Sequence, residues 1–375
     1  MIFICFGISL LYVLVMASFI LGFDRVKTFQ LSHLKPKTHF SIIIAFRNEE
    51  KRLPPLLESI VNLNYPNDHF EIIFVDDESN DTSVQLVRSM LANNRHLNVT
   101  LIKNIRSSNS PKKDAISLGI SEAQYDWIVT TDADCVLPKY WLESFDEFIQ
   151  KRLPDFIAAP ITYVNCHGFL QNFQLLDVLS LQGATIGGFG IRKPFLCNGA
   201  NLAYKKELFK TLNGFQGNKE IASGDDVFLL EKATKLNANK VHYLKCQDAV
   251  VATSALTSWS ELVEQRVRWA AKTNTYKNWF GKLVGLIVLS LNALLISCVL
   301  LVIIGIMAPL HLLIIFLVKF SIDFLLIFKT ANFFNQKNHL KHYYISSFLY
   351  PFFSVIIIFL TVFKGFKWKD RSYKK

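Results

Sequence analysis

The chain has no Cys-x-x-Cys pair and no histidine at zinc-ligand spacing; its six cysteines (Cys5, Cys135, Cys166, Cys197, Cys246 and Cys298) are scattered. That argues against a disulfide framework and a structural zinc site, and suits a reducing cytoplasm. Gly-x-Gly-x-x-Gly is also missing. The first strand-to-helix turn reads Ala45-Phe46-Arg47-Asn48-Glu49-Glu50, so a redox dinucleotide fold is not the expectation. Charge is absent from Ile2–Phe23, a predominantly apolar run long enough to span a bilayer. With no basic leader before it and no small-residue cleavage site after it, the run is expected to be an anchor rather than a removed signal.

Hydrophobic residues make up 51% of the 375-residue chain, high for a purely soluble enzyme, and they concentrate at the two ends. Leu283–Phe328 is a second apolar block, broken at Ala308-Pro309 as in a helical hairpin, and Ile345–Phe363 is a third. Four membrane helices are therefore expected, one amino-terminal and three carboxy-terminal. The net charge of +11 gathers beside these runs: Arg25, Lys27, Lys35 and Lys37, then Lys272, Lys277 and Lys282, then the tail from Lys364 to Lys375. Basic residues that follow membrane ends rather than one domain face indicate an anionic lipid surface, not nucleic acid. The cluster after the first run places the central domain in the cytoplasm. Three further full crossings would put the basic tail outside, so one carboxy-terminal segment is expected to lie in the interface or re-enter. The segment holding Lys319 and Asp323, spaced i, i+4 for pairing, is the weakest span.

Between the anchors, strand and helix patterns alternate. Phe40–Phe46, Glu71–Val75, Val99–Ile102 and Trp127–Thr131 read as buried strands, and each precedes a helical pattern or a polar turn. The expectation is a parallel α/β sheet covered on both faces. Its polar islands, Arg47-Asn48-Glu49-Glu50, Asp76-Asp77-Glu78-Ser79 and Asp132-Ala133-Asp134, sit where such sheets bind ligands. Further on come Gly224-Asp225-Asp226 and Gln265-Arg266-Val267-Arg268-Trp269. Carboxylates would repel a bare pyrophosphate, but they suit a diphosphate bridged by a hard cation, Mg²⁺ or Mn²⁺.

This ordered set resembles the family 2 glycosyltransferases with the GT-A fold, and the QRVRW pentapeptide is similar to the membrane branch that includes cellulose-synthase-like and ceramide-glucosyltransferase-like enzymes. The resemblance runs from about Ser41 to Trp269. It implies a Rossmann-like nucleotide-diphospho-sugar transferase domain joined to transmembrane α-helices. It further implies Asp134 as direct metal ligand with Asp132 beside it, and Asp77 on the uracil or ribose edge with Asp76 in support. The resemblance also implies Glu49 as a further nucleotide contact. Pro111-Lys112-Lys113-Asp114-Ala115 resembles the family's Gly-Lys-x-x-Ala turn, with Lys112 approaching the nucleotide and Lys113 in solvent. Asn198 and Gly199 would line the acceptor pocket. Asp226 would be the base that deprotonates the acceptor hydroxyl, with Asp225 its neighbour. Gln265, Arg268 and Trp269 fall at i, i+3 and i+4 on one helix face, where Gln265 and Arg268 would hold the departing diphosphate and Trp269 the acceptor.

Plainer roles fit several of these residues. Asp132 suits a turn cap, Ser79, Asn80 and Asp81 suit helix N-capping, and Asp225 and Asp226 suit a helix amino terminus. Trp259, Trp269 and Trp279 suit a headgroup belt. The expected organisation is an anchor over 1–24, a cytoplasmic transferase domain over 38–255, an interfacial helix with QRVRW over 256–281, and membrane helices plus tail over 282–375. The expected activity is inverting transfer from a nucleotide-diphosphate sugar, a UDP-sugar by preference, to a lipid-linked or polysaccharide acceptor at the cytoplasmic membrane. A metal-dependent phosphohydrolase would instead release sugar phosphate, and a non-catalytic scaffold would do neither.

Overall fold

The computed structural model describes residues 2–221, 224–272, 275, 277–363, 366–368 and 371–373. Lys364, Lys369, Asp370, Lys374 and Lys375 of the basic tail lie outside the described residues. In chain order the elements begin with α1 (Ile2–Arg25), β1 (Phe40–Phe46), α2 (Leu53–Val61), β2 (Phe70–Asp76), α3 (Ser83–Asn93), β3 (Asn98–Lys103), α4 (Pro111–Glu122) and β4 (Trp127–Thr130). Then follow β5 (Cys135–Val136), α5 (Trp141–Arg152), β6 (Phe156–Ala158), β7 (Ile161–Val164), α6 (Phe169–Gly190), β8 (Leu202–Lys205), α7 (Lys206–Thr211) and α8 (Asp225–Asn237). The chain continues through β9 (Val241–Tyr243), β10 (Val251–Ser254), α9 (Trp259–Ala271), α10 (Trp279–Ile303), α11 (Pro309–Phe333), α12 (Tyr343–Phe363), β11 (Phe366–Trp368) and β12 (Arg371–Tyr373).

These elements form two compact units. A sheet unit takes Lys27–Val164 and Leu196–Ser254, and a helical unit takes Met1–Val26, Asn165–Phe195 and Ala255–Lys375. In the sheet unit seven strands run in the order β3-β2-β1-β4-β8-β6-β9, beside a small sheet β5-β10-β7. The sheet is mixed, which corrects the all-parallel expectation: β8 is antiparallel to both β4 and β6. The strand pattern up to β4 carries the crossover signature of a parallel sheet, whereas β8 enters from a distant stretch of chain with no such unit before it. The apolar runs of β1 and β2 are almost wholly buried, as strands covered on both faces must be.

The extended segment before β1 is strapped to α5 by buried acids. Glu147 accepts hydrogen bonds from the amides of Ser32 and Leu34, and Asp146 from the amide and hydroxyl of Thr38. Burial raises the Glu147 carboxyl, but the Leu34 and Ser32 amides and Lys151 outweigh it and hold its pKa low.

Among its described residues the helical unit has four helices long and apolar enough to cross a membrane, within Phe3–Arg25, Trp279–Ile303, Pro309–Phe333 and Lys337–Phe363. Glycines permit close backbone approach between α1 and α6: a Cβ at Gly187 would meet the Phe19 carbonyl oxygen at 2.5 Å, and one at Gly190 would collide with that of Gly22. At one end of α11, Lys329 pairs with Asp24 of α1 at 2.9 Å. The i, i+4 pair Lys319–Asp323 forms at 2.6 Å.

Candidate active site

Register places the site. In the parallel pairing Phe46 stands opposite Asp76 and Ile43 opposite Thr130, so the loops after β1, β2 and β4 leave from one sheet edge. Two of these loops hydrogen-bond to each other. The Asn48 amide donates to Ser79 Oγ at 3.1 Å, the Asn80 amide to Asn48 Oδ1 at 2.9 Å, and the Glu50 amide to Asp81 Oδ2 at 3.0 Å. Asn48 and Glu78 adopt left-handed φ of 50° and 60° to make this turn geometry. Glu49 is buried, with its amide donating to Ser83 Oγ at 2.8 Å. Arg47 is tied in as well, since its guanidinium donates to the carbonyls of Asp77 and Glu78 at 2.7 and 2.9 Å.

Asp77 is held by two residues that sequence reasoning did not single out. Asn104 Nδ2 donates to Asp77 Oδ1 at 2.8 Å and Arg106 Nε at 2.7 Å. Burial disfavours the Arg106 charge, but the hydrogen bond and charge of Asp77, with Glu78, more than compensate and raise its pKa. Both residues lie just beyond β3, whose carboxyl end meets the same edge: Asp76 stands opposite Lys103. That adjacency was the available signal.

The second cluster centres on Lys112. Its ammonium lies 2.7 Å from Asp132 Oδ1 and 3.4 Å from Asp225 Oδ2. Burial pushes its pKa down, yet Asp132, Asp225 and Asp226 together push harder and raise it, so the cation is retained. Asp226 Oδ2 accepts the Gly199 amide at 3.2 Å, while its Oδ1 caps its own helix at the Val227 amide, 2.7 Å away. A Cβ at Gly199 would meet Asp225 Oδ2 at 2.9 Å, so only glycine leaves the carboxylates undisturbed. Gly224, at φ 84°, turns the chain into α8 and sets Asp225 and Asp226 in its first turn. The sequence-predicted Asp132, Lys112, Gly199, Asp225 and Asp226 thus meet in one place.

Other predicted residues behave differently. Lys113, expected in solvent, is 1% exposed and donates to the carbonyls of Asn218 and Ile221, both at 2.8 Å. In the first turn of a helix its neighbour Lys112 faces the carboxylates, so Lys113 turns instead toward the segment before α8 and fastens it. Asn198 folds back, its Oδ1 accepting the Ala200 amide at 2.9 Å. Asp134 follows Asp132 in the same turn; after burial, these two carboxylates are what drive the Cys135 thiol well above its usual pKa. Among the described residues no three His, Cys, Asp or Glu side chains form a complete metal cage. Two carboxylates do fit a hard cation that takes its remaining ligands from substrate phosphates and water.

In the helical unit, α9 carries Gln265, Arg268 and Trp269, all half-buried. The Gln265 side-chain oxygen accepts from the Arg266 guanidinium, so part of its polar capacity is spent on its neighbour. Arg266 itself stacks over the Trp269 ring, 4.2 Å from the centroid. Trp259 packs on Phe173 and Phe353 yet stays 44% exposed, and Trp279 is 66% exposed.

An α/β sheet with paired carboxylates along the carboxyl edge of its central strands is the architecture of the GT-A nucleotide-sugar transferases. A solved mannosyltransferase from Pyrobaculum calidifontis, in complex with GDP-Man and Mn²⁺, has this fold: it matches 96% of either chain with a TM-score of 0.54 at 16% identity. The family profiles for glycosyl transferase family 2 and glycosyl transferase family group 2 match residues 41–212 and 127–363. The chain belongs to glycosyl transferase family 2 and is a glycosyltransferase with apolar helices of membrane-spanning length. It is 26% identical to the poly(ribitol-phosphate) β-N-acetylglucosaminyltransferase TarS of Staphylococcus aureus, over 57% of this chain and 35% of that protein. Similarity to the poly-β-1,6-N-acetyl-D-glucosamine synthase of Staphylococcus epidermidis is 30% identity over 33% of this chain and 30% of that one. The chain therefore spans about a third of the length of these relatives.

Proposed function

We propose that this protein is a membrane-bound inverting glycosyltransferase that passes a sugar from a UDP-sugar to a lipid-linked or polysaccharide acceptor at the cytoplasmic face. The observation that carries the reading is the convergence of Asp132, Lys112, Asp225 and Asp226 beside Gly199. Donor-side and base-side carboxylates meet at one half-buried lysine, an arrangement that suits two substrates held side by side. Asp77, fixed by Asn104 and Arg106, offers an oriented acceptor to the base edge of the nucleotide. Asp226 removes the proton of the acceptor hydroxyl, and the Gly199 amide on its Oδ2 orients the carboxylate for that step. Gln265 and Arg268 hold the departing diphosphate, and Trp269 offers a flat apolar face to the acceptor. Asp134 and Asp132 would hold Mg²⁺ or Mn²⁺, which supplies charge neutralisation at the diphosphate when bound. The N-acetylglucosaminyl activity named for both relatives makes UDP-GlcNAc the first donor to try. The basic residues beside the apolar helices support the cytoplasmic placement.

Membranes incubated with a panel of radiolabelled UDP- and GDP-sugars test the reaction. Label is expected in lipid or polymer; label released only as sugar phosphate would identify a hydrolase instead. Calorimetric titration with UDP and Mn²⁺ tests the metal. Asp134→Asn should abolish metal-dependent nucleotide binding while thermal unfolding is preserved, and unchanged affinity would remove Asp134 from the metal site.

A further inference from the structure

Among the described residues of the helical unit, two ion pairs stand out, with Lys319, Asp177 and Arg266 buried and Asp323 half-buried. One is Lys319–Asp323 on α11, at 2.6 Å, with the Tyr12 hydroxyl donating to Asp323 Oδ1 at 2.6 Å. The other is Arg266–Asp177, with Nε 2.8 Å from Oδ2 and side chains only 7% and 6% exposed. Tyr350 of α12 lies beside the first pair, with the Lys319 ammonium 5.7 Å from its ring centroid. A buried ion pair adds little net stability over well-packed apolar side chains, so its presence needs another reason. The Arg266–Asp177 pair has one in view. The guanidinium that Asp177 grips is the one stacked on Trp269 at 4.2 Å, and the same guanidinium donates to Gln265. Arginine forms both contacts because its planar fork bonds carboxylate in its plane while its face lies on an aromatic ring.

We propose that Asp177 is a positioning residue for the transfer reaction: by fixing Arg266, it covers one face of the Trp269 indole and leaves the other for the acceptor. The role rests on the reading of Trp269 as acceptor platform. Asp177 touches neither substrate in this scheme and acts through Arg266 alone. The chain position of Asp177, in the middle of α6 and far from QRVRW in sequence, is what hid it from motif reading.

The test uses the full-length protein in vesicles. In the first arm, Trp269 emission is isolated as the difference between each protein and its Trp269→Phe counterpart, and acrylamide quenching reports indole cover without any substrate. Asp177→Asn and Arg266→Lys should both raise quenching, because each removes the ordered guanidinium from the ring. Tyr12→Phe, which loosens only the other ion pair, should not. In the second arm, transfer from UDP-[¹⁴C]GlcNAc to a total polar lipid extract is compared with UDP binding. Asp177→Asn and Arg266→Lys should lower transfer by up to about 10²-fold through platform misplacement, with UDP affinity unchanged. Asp177→Glu should recover part of the loss. Arg266→Lys keeps a positive charge beside Asp177, so it guards against a folding failure in Asp177→Asn. Unchanged quenching in both variants, or equal losses of transfer and UDP binding, would overturn the proposal while leaving the platform intact. Normal transfer by Trp269→Ala would overturn the platform and the proposal together.

Discussion

The Lys112 cluster of the sheet unit and the ion pairs of the helical unit arrange their charges differently. In the sheet unit, Lys112 gathers Asp132, Asp225 and Asp226, so one lysine brings three carboxylates together. In the helical unit, Lys319–Asp323 and Arg266–Asp177 are closed pairs, each cation matched by one acid. An unbalanced cluster is a place where a cation and phosphate can bind; a balanced pair is a place where a side chain is held still. The difference separates chemistry from support, and the substitutions below bear on whether it holds.

Among the residues that support the base rather than act as it, the largest effect is expected at Gly199. In Gly199→Ala the new Cβ meets Asp225 Oδ2 at 2.9 Å, so the Asp225 carboxylate beside Lys112 must shift. Transfer should fall by up to about 10²-fold, with little change in UDP affinity measured by calorimetry. Wild-type transfer would show that the carboxylate cluster tolerates rearrangement and that the contrast between the units is overstated.

Arg106→Ala sharpens the same contrast on the donor side. It removes a charge-assisted hydrogen bond to Asp77 and should weaken UDP binding about tenfold, near the lower end expected for such a bond, while kcat at saturating donor changes little. A fall in kcat with unchanged affinity would move Arg106 to the transfer step.

Lys113 stands beside Lys112 but belongs with the supporting groups. Lys113→Met should leave two carbonyls, at Asn218 and Ile221, without their donor and lower the thermal stability of the sheet unit by about 1–3 kcal/mol, with donor affinity nearly intact. Loss of binding without loss of stability would make it a ligand contact instead.

How legible these features were in the sequence follows from how far apart their parts lie. β1 has the predicted bounds, and the polar islands fall at strand ends because period, strand length and turn residues are local signals. Lys112 with Asp132 required only neighbouring strand–helix units. The antiparallel insertion of β8 was not legible, since pairing partners separated by some seventy residues leave no periodic trace. Lys113 misled because a lysine in a polar stretch looks solvated, and its acceptors are backbone carbonyls that any sequence could supply. Arg106 and Asp177 were missed because each matters through one distant partner.

The assignment of Asp226 as base is where the account can be struck most directly. Donor binding and sugar transfer measured on the same Asp226→Asn preparation separate the two functions of the carboxylate cluster. UDP and UDP-GlcNAc affinity should stay close to wild type, with transfer reduced by about 10²–10⁴-fold. Near-normal turnover would contradict the assignment and pass the role to Asp225, whose carboxylate faces Lys112 3.4 Å away.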